Sequence, residues 1–172
     1  MFSKADIEKY FIAEKQAGMV FLIIGMGAII VALIFLLALK TSFYKGMAMP
    51  LIVVGLLMGI VGFTVYQRSN ADRTRNVYAY DMNPGELKNK ELPRMEKVMK
   101  DLVRYHYAEM LLAIIGVVLF FYFKNNAAQA LWKGVGAGLI ITMLVATASD
   151  FAAAKRARPY LHGLRTFTAA NQ

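Results

Sequence analysis

Four apolar runs, Gly18 to Leu39, Met47 to Tyr66, Tyr105 to Phe123 and Val135 to Ala154, constrain this chain more than any other feature. Each approaches the roughly 20 helical residues needed to cross a hydrocarbon core of about 30 Å. Each has to be a helix, because an isolated strand would leave backbone groups unsatisfied in lipid, and no run alternates like a barrel strand. With 58% hydrophobic residues and little chain outside the runs, residues 1–172 read as a single membrane domain.

Charge sets the expected orientation. Sixteen of the 20 Lys and Arg lie before the first run, between the second and third, or after the fourth. Only Lys40, Lys45, Lys124 and Lys133 fall in the two short loops. The positive-inside bias therefore predicts both termini and the long central segment in the cytoplasm, and a multi-pass protein of the plasma (bacterial inner) membrane. The net charge of +9 then serves a bilayer with anionic headgroups and not nucleic acid. Aromatic belts fit this frame: Phe43, Tyr44, Trp132 and the Phe121-Tyr122-Phe123 run at the outer interface, Tyr66, Tyr105, Tyr107 and Tyr160 at the inner one.

In chain order, residues 1–17 form an amphipathic lead-in with a Ser3/Asp6 capping signature, followed by the first span at 18–39. Thr41 to Gly46 reads as an outer loop, and Pro50 as a first-turn residue of the second span at 47–66. Nothing breaks the helix after Tyr66 until Asp81-Met82-Asn83-Pro84-Gly85, a strong turn signal. From Pro93, apolar residues recur at Met95, Met99 and Leu102, with Glu96/Lys100 and Lys97/Asp101 at ion-pair spacing. Residues 67–107 thus predict a cytoplasmic helical hairpin that extends the second and third helices. The third and fourth spans take 105–123 and 135–154; Pro159 ends or kinks the fourth, and 155–172 is a basic tail. The expected fold is an all-α, four-transmembrane-helix antiparallel bundle with both termini inside.

The chemistry is sparse. Cysteine is absent, which removes disulfides, thiolate metal sites and thiol nucleophiles. The eleven Met follow no ligand pattern, and the middles of the spans hold no ionisable residue. No cofactor and no metal is expected, and no motif identifies a reaction. Two acids near the inner ends of spans, Glu109 and Asp150, fall about 21 to 23 Å from the outer boundary at 1.5 Å per residue. With His106 one turn from Glu109, and with Arg68, they form a candidate polar pocket; the competing reading pairs them with basic groups as structural ion pairs. Gly55, Gly59 and Gly62, with a G-x-x-x-G at the first pair, and Gly134 with Gly138, offer close helix-packing or interaction faces. Tyr78, Tyr80, Asp81 and Asn83 at the hairpin tip form a candidate docking surface. In topology alone the chain is similar to several unrelated groups, including some immunity proteins against pore-forming toxins. The expected role is a membrane interaction protein, an accessory or immunity-type subunit with a protein partner or a second copy of itself. The alternative is a small transporter, channel or membrane enzyme using the pocket at His106, Glu109 and Asp150.

Overall fold

The structure, a computed structural model, describes residues 2–170. It is all helical, with no strand among the described residues, and four of its helices are long and apolar enough to cross a membrane. α1 (Lys4–Ile34) starts where Asp6 accepts both the backbone N–H and the hydroxyl of Ser3, and it runs from the lead-in into the first apolar run without a break. A π-helical turn, Phe35–Leu39, closes it. α2 (Ser42–Met82) follows, then a single turn at Pro84–Glu86 and a second π-helical stretch at Leu87–Glu91. α3 (Leu92–Tyr122) and α4 (Ala130–Ala170) complete the chain, joined through a short 3-10 turn at Ala127–Gln129. The 41 residues of α2 or α4 measure roughly 60 Å, about twice the thickness of a hydrocarbon core.

Three sequence expectations are corrected here. The first loop is not Thr41 to Gly46: Lys40 takes a left-handed conformation (φ 53°), the Thr41 hydroxyl caps the Tyr44 N–H, and α2 is already helical from Ser42. Pro50 accordingly sits inside α2 and not in its first turn. Pro159 does not end α4, which continues to Ala170. An internal proline costs a helix about 3 kcal/mol. The residues beyond it, Tyr160, Leu161 and Leu164, are all buried, and each returns about 1.5–3 kcal/mol of apolar burial.

The tail is therefore structural. Its buried side chains join Phe2, Ile7, Tyr10 and Phe11 of the lead-in with Ala79, Leu87 and Met95 in one apolar core. Tyr10 stacks on Tyr160 at 4.1 Å between centroids, and Tyr80 on Phe167 at 4.7 Å. Tyr160 is thus a core residue and not part of an interfacial belt. The polar extensions of all four helices contribute to this headpiece, whereas charge spacing pointed only to a two-helix hairpin. Ion pairing follows the same logic: Glu96 accepts from Arg165 of the tail at 2.8 Å and Asp101 from Arg104 at 3.2 Å, in place of the i,i+4 pairs with Lys100 and Lys97.

Through the apolar section the helices meet on glycine. Where Gly25 faces α2, an added Cβ would lie 2.5 Å from the Gly55 carbonyl oxygen and 2.7 Å from the Gly59 nitrogen. Gly18 and Gly62 form the same arrangement seven residues away on each helix, where an added Cβ would lie 2.9 and 2.6 Å, respectively, from the other's carbonyl oxygen. Gly134 and Gly138 lie against Phe43, Met47 and Pro50 of α2, and Gly116 of α3 against Gly136 of α4. These seams join α1 to α2, α2 to α4 and α4 to α3.

Candidate functional site

Because α4 is the element to which α3 is joined, no extensive seam ties α3 to α1 or α2. The result is an open groove of about 690 Å³ between them, floored by α4. Its walls are apolar for most of their length: Phe21 on α1, Val53, Leu57 and Val61 on α2, Leu112 on α3, Leu139 and Met143 on α4. Near the headpiece the lining changes to Glu14, Arg68, Glu109, Ser149, Asp150 and Arg156.

Each polar residue is placed by its helix. Glu109 of α3 accepts a hydrogen bond from the Thr147 hydroxyl of α4 at 2.9 Å, which brings it beside Asp150, one helical turn further along. Neither acid has a Lys or Arg partner among the described residues, so they are not held as structural ion pairs. One carboxylate oxygen of Asp150 is fully shielded and has no hydrogen-bond partner. Arg68 pairs at 3.3 Å with Glu14, whose other oxygen is shielded and unpartnered in the same way. The Ser149 hydroxyl is occupied by the Val145 carbonyl. Of the expected pocket, Glu109 and Asp150 come together, and Arg68 lines the same groove but pairs with Glu14. His106 lies within electrostatic range of Asp150 but is exposed and not among the groove-lining residues. No group of three metal-binding side chains occurs among the described residues.

The expected glycine faces are spent inside the chain. Gly55 and Gly62 meet α1, and Gly134 and Gly138 meet α2. A Cβ on Gly59 would point into open space, although its backbone is approached by Gly25. At the tip, Tyr80 is drawn into the headpiece, where its hydroxyl donates to the Phe2 carbonyl at 3.1 Å, and Asp81 pairs with Lys4. Tyr78 and Asn83 stay exposed.

A second polar group escaped the sequence reading. Glu91, 1% exposed at the end of the π-helical stretch, receives Arg94 through two bonds of 2.8 and 2.7 Å and the Tyr160 hydroxyl at 3.2 Å. Tyr10, stacked on Tyr160, donates to Glu14 at 3.4 Å. A polar path thus runs from the headpiece core, Glu91 and Arg94, through the two tyrosines to Glu14 and the groove. Burial, reinforced by neighbouring carboxylates, pushes both phenols well above their ordinary pKa, so they remain neutral donors. The available signal was Leu87, Glu91 and Met95 at i, i+4 and i+8: an acid inside an apolar helical stripe.

Comparison with protein-family models, with curated proteins and with solved structures finds no match.

Proposed function

We propose that this is a four-span membrane protein, with both termini and the headpiece in the cytoplasm, that holds a lipid-like molecule in the groove between α2 and α3. The observation that carries the reading is the groove itself, apolar along its length and charged at one end. Its 690 Å³ falls in the usual 300–1,000 Å³ range of small-molecule sites. A spanning helix, about 10 Å across and 30 Å long, fills roughly 2,400 Å³, so the groove suits an acyl chain better than a partner's helix. Internal use of Gly55, Gly62, Gly134 and Gly138 also weighs against a glycine-mediated helix partner. Glu109 and Asp150 each cost a few kcal/mol in a span unless a polar group meets them, and a headgroup at the groove's end would supply one.

The descending register of Gly18 with Gly62 and Gly25 with Gly55 supports an antiparallel α1 and α2, and the charge bias supports a headpiece on the cytoplasmic side. Single Cys substitutions at Lys45, Asn83, Asn126 and Ala169 in this Cys-free chain test that orientation. An impermeant maleimide applied to intact cells labels the first and third only; labelling of Asn83→Cys or Ala169→Cys overturns it. Binding is tested with a fluorescent acyl probe on the purified full chain. Saturable binding is expected, lost in Val61→Trp and Ala108→Trp, which fill the groove from opposite walls. Equal binding by correctly folded variants would refute the site.

A further inference from the structure

At its headpiece end the groove is lined by two arginines that the helix register sets at one depth. α2 and α4 run parallel. Gly138 lies against Pro50, 88 residues apart, near the short loops, and Phe167 stacks on Tyr80, 87 apart, in the headpiece. Between those fixed points the same offset carries Arg68 to Arg156. Each stands 21 residues from the start of its apolar run, at Met47 or Val135, which is about 32 Å and just past a hydrocarbon core of about 30 Å. Neither charge is committed to the fold. Arg156 is half-buried and has no ion pair or hydrogen bond among the described residues. Arg68 meets Glu14 at 3.3 Å, but its side chain is 41% exposed, and such ion pairs are weak. Glu14 does not depend on it: Tyr10 donates to the same carboxylate, and Arg94, whose Nη1 is shielded and unpartnered, also acts on it electrostatically. Arg68 can therefore turn to a ligand without stranding a carboxylate.

Building on the proposed lipid-binding role, we infer that the ligand is an acidic phospholipid whose phosphate is held by Arg68 and Arg156 and whose tails follow the groove toward the short loops. A phosphate accepts charge-assisted N–H bonds from both guanidinium forks, and a net negative charge offsets the two cations, which a zwitterion does only in part. The order of atoms agrees with the order of residues. Asp150 stands six residues, about 9 Å, from Arg156 toward the middle of the membrane section, with Glu109 beside it. The two acids therefore flank the uncharged linkage between phosphate and tails, and not the phosphate itself. Further along, Leu57, Leu112, Leu139 and Met143 give the tails an apolar wall.

The test is competition for the groove-bound acyl probe on the full-length protein, using phosphatidylglycerol, phosphatidylcholine and diacylglycerol of identical tails, and free glycerol phosphate. Phosphatidylglycerol should displace the probe at a concentration at least about tenfold lower than the other two lipids, the value of one charge-assisted hydrogen bond. Added salt should narrow that gap by screening; a gap indifferent to salt counts against the arginines. Free glycerol phosphate should leave the probe bound, and displacement by it at a comparable concentration would assign the site to a soluble phosphate instead. Arg156→Gln, with no protein partner to lose, should bring the three lipids within about threefold of one another. Arg158→Gln removes an exposed arginine of the same helix that does not line the groove, and should keep the full preference. Displacement by the choline or the uncharged lipid as readily as by phosphatidylglycerol overturns the headgroup assignment while leaving the lipid-binding groove intact. So does an equal loss of preference in the two arginine variants, which would mark a general effect of basic charge. Failure of the probe to bind at all removes both readings together.

Discussion

The headpiece and the membrane section are built from the same four helices but hold together by opposite means. In the headpiece, large side chains interlock: Phe11, Ile7, Leu87, Met95 and Leu164 are essentially inaccessible, and Glu91, Arg94 and the stacked tyrosines fill the polar space between them. Along the spans the contacts are nearly bare backbone, glycine against glycine, and the side chains turn outward; Ile60, Leu144 and Phe151 are all more than 60% exposed. With the apolar section in a bilayer, as proposed, the difference follows from the solvent. In water, burying apolar surface drives association at about 25 cal/mol per Å². In lipid that drive vanishes, and only close van der Waals approach holds helices together. One chain can therefore have a dense core at one end and leave α3 apart from α1 and α2 at the other, with a groove between them.

The sharpest break of this contrast is steric. Gly25→Leu places a side chain where even a Cβ would lie 2.5 Å from the Gly55 carbonyl, so α1 and α2 must separate; a loss of at least about 3 kcal/mol and failure to purify as one species are expected. Gly27→Leu, two residues along the same helix, meets open space and should change the melting temperature little. A melting curve in mild detergent reads both.

Removing charge from the headpiece should come next. Glu91→Gln strips the buried partner from Arg94, and breaking one side of a buried pair costs about 3–5 kcal/mol. Glu109→Gln in the membrane section should cost no more than about 1 kcal/mol, because a single hydrogen bond to Thr147 is at stake. Urea unfolding in detergent compares them; equal costs would erase the distinction between the two regions.

Truncating apolar residues separates them again. Leu164→Ala opens a cavity in the headpiece and should cost about 2–5 kcal/mol, whereas Leu57→Ala on the groove wall, 58% exposed, removes side-chain atoms from an open surface and should cost well under 1 kcal/mol. The smallest pair concerns hydroxyls. Tyr160→Phe loses a bond to a buried carboxylate, about 1.5–3 kcal/mol, against roughly 0.6 kcal/mol for Thr147→Val, a typical interhelical hydrogen bond in a membrane.

The four long apolar helices were readable because about twenty apolar residues in a row fit a membrane-crossing helix and little else. The proximity of Glu109 to Asp150 was readable too, by counting helical rise from the loop that joins their helices. The tail was misread because Pro159 was weighed without the burial of Tyr160, Leu161 and Leu164 that outweighs it. The α1–α2 seam was hidden for a different reason. Gly18 and Gly25 match Gly62 and Gly55 at a spacing of seven, while the familiar four-residue pair, Gly55 and Gly59, drew attention to one helix alone. The groove left no mark at all in the sequence: a helix apolar all round does not reveal which face it leaves uncovered.

The central claim is that the membrane section keeps a place for one amphiphile while the headpiece holds the bundle together. Native mass spectrometry of the full chain, released from its own membrane in mild detergent, addresses it most directly. The account predicts a protein carrying a single lipid-sized adduct that survives repeated detergent washing and is absent from Val61→Trp at unchanged melting temperature. A bare protein, or an adduct retained equally by the folded Val61→Trp variant, would contradict it.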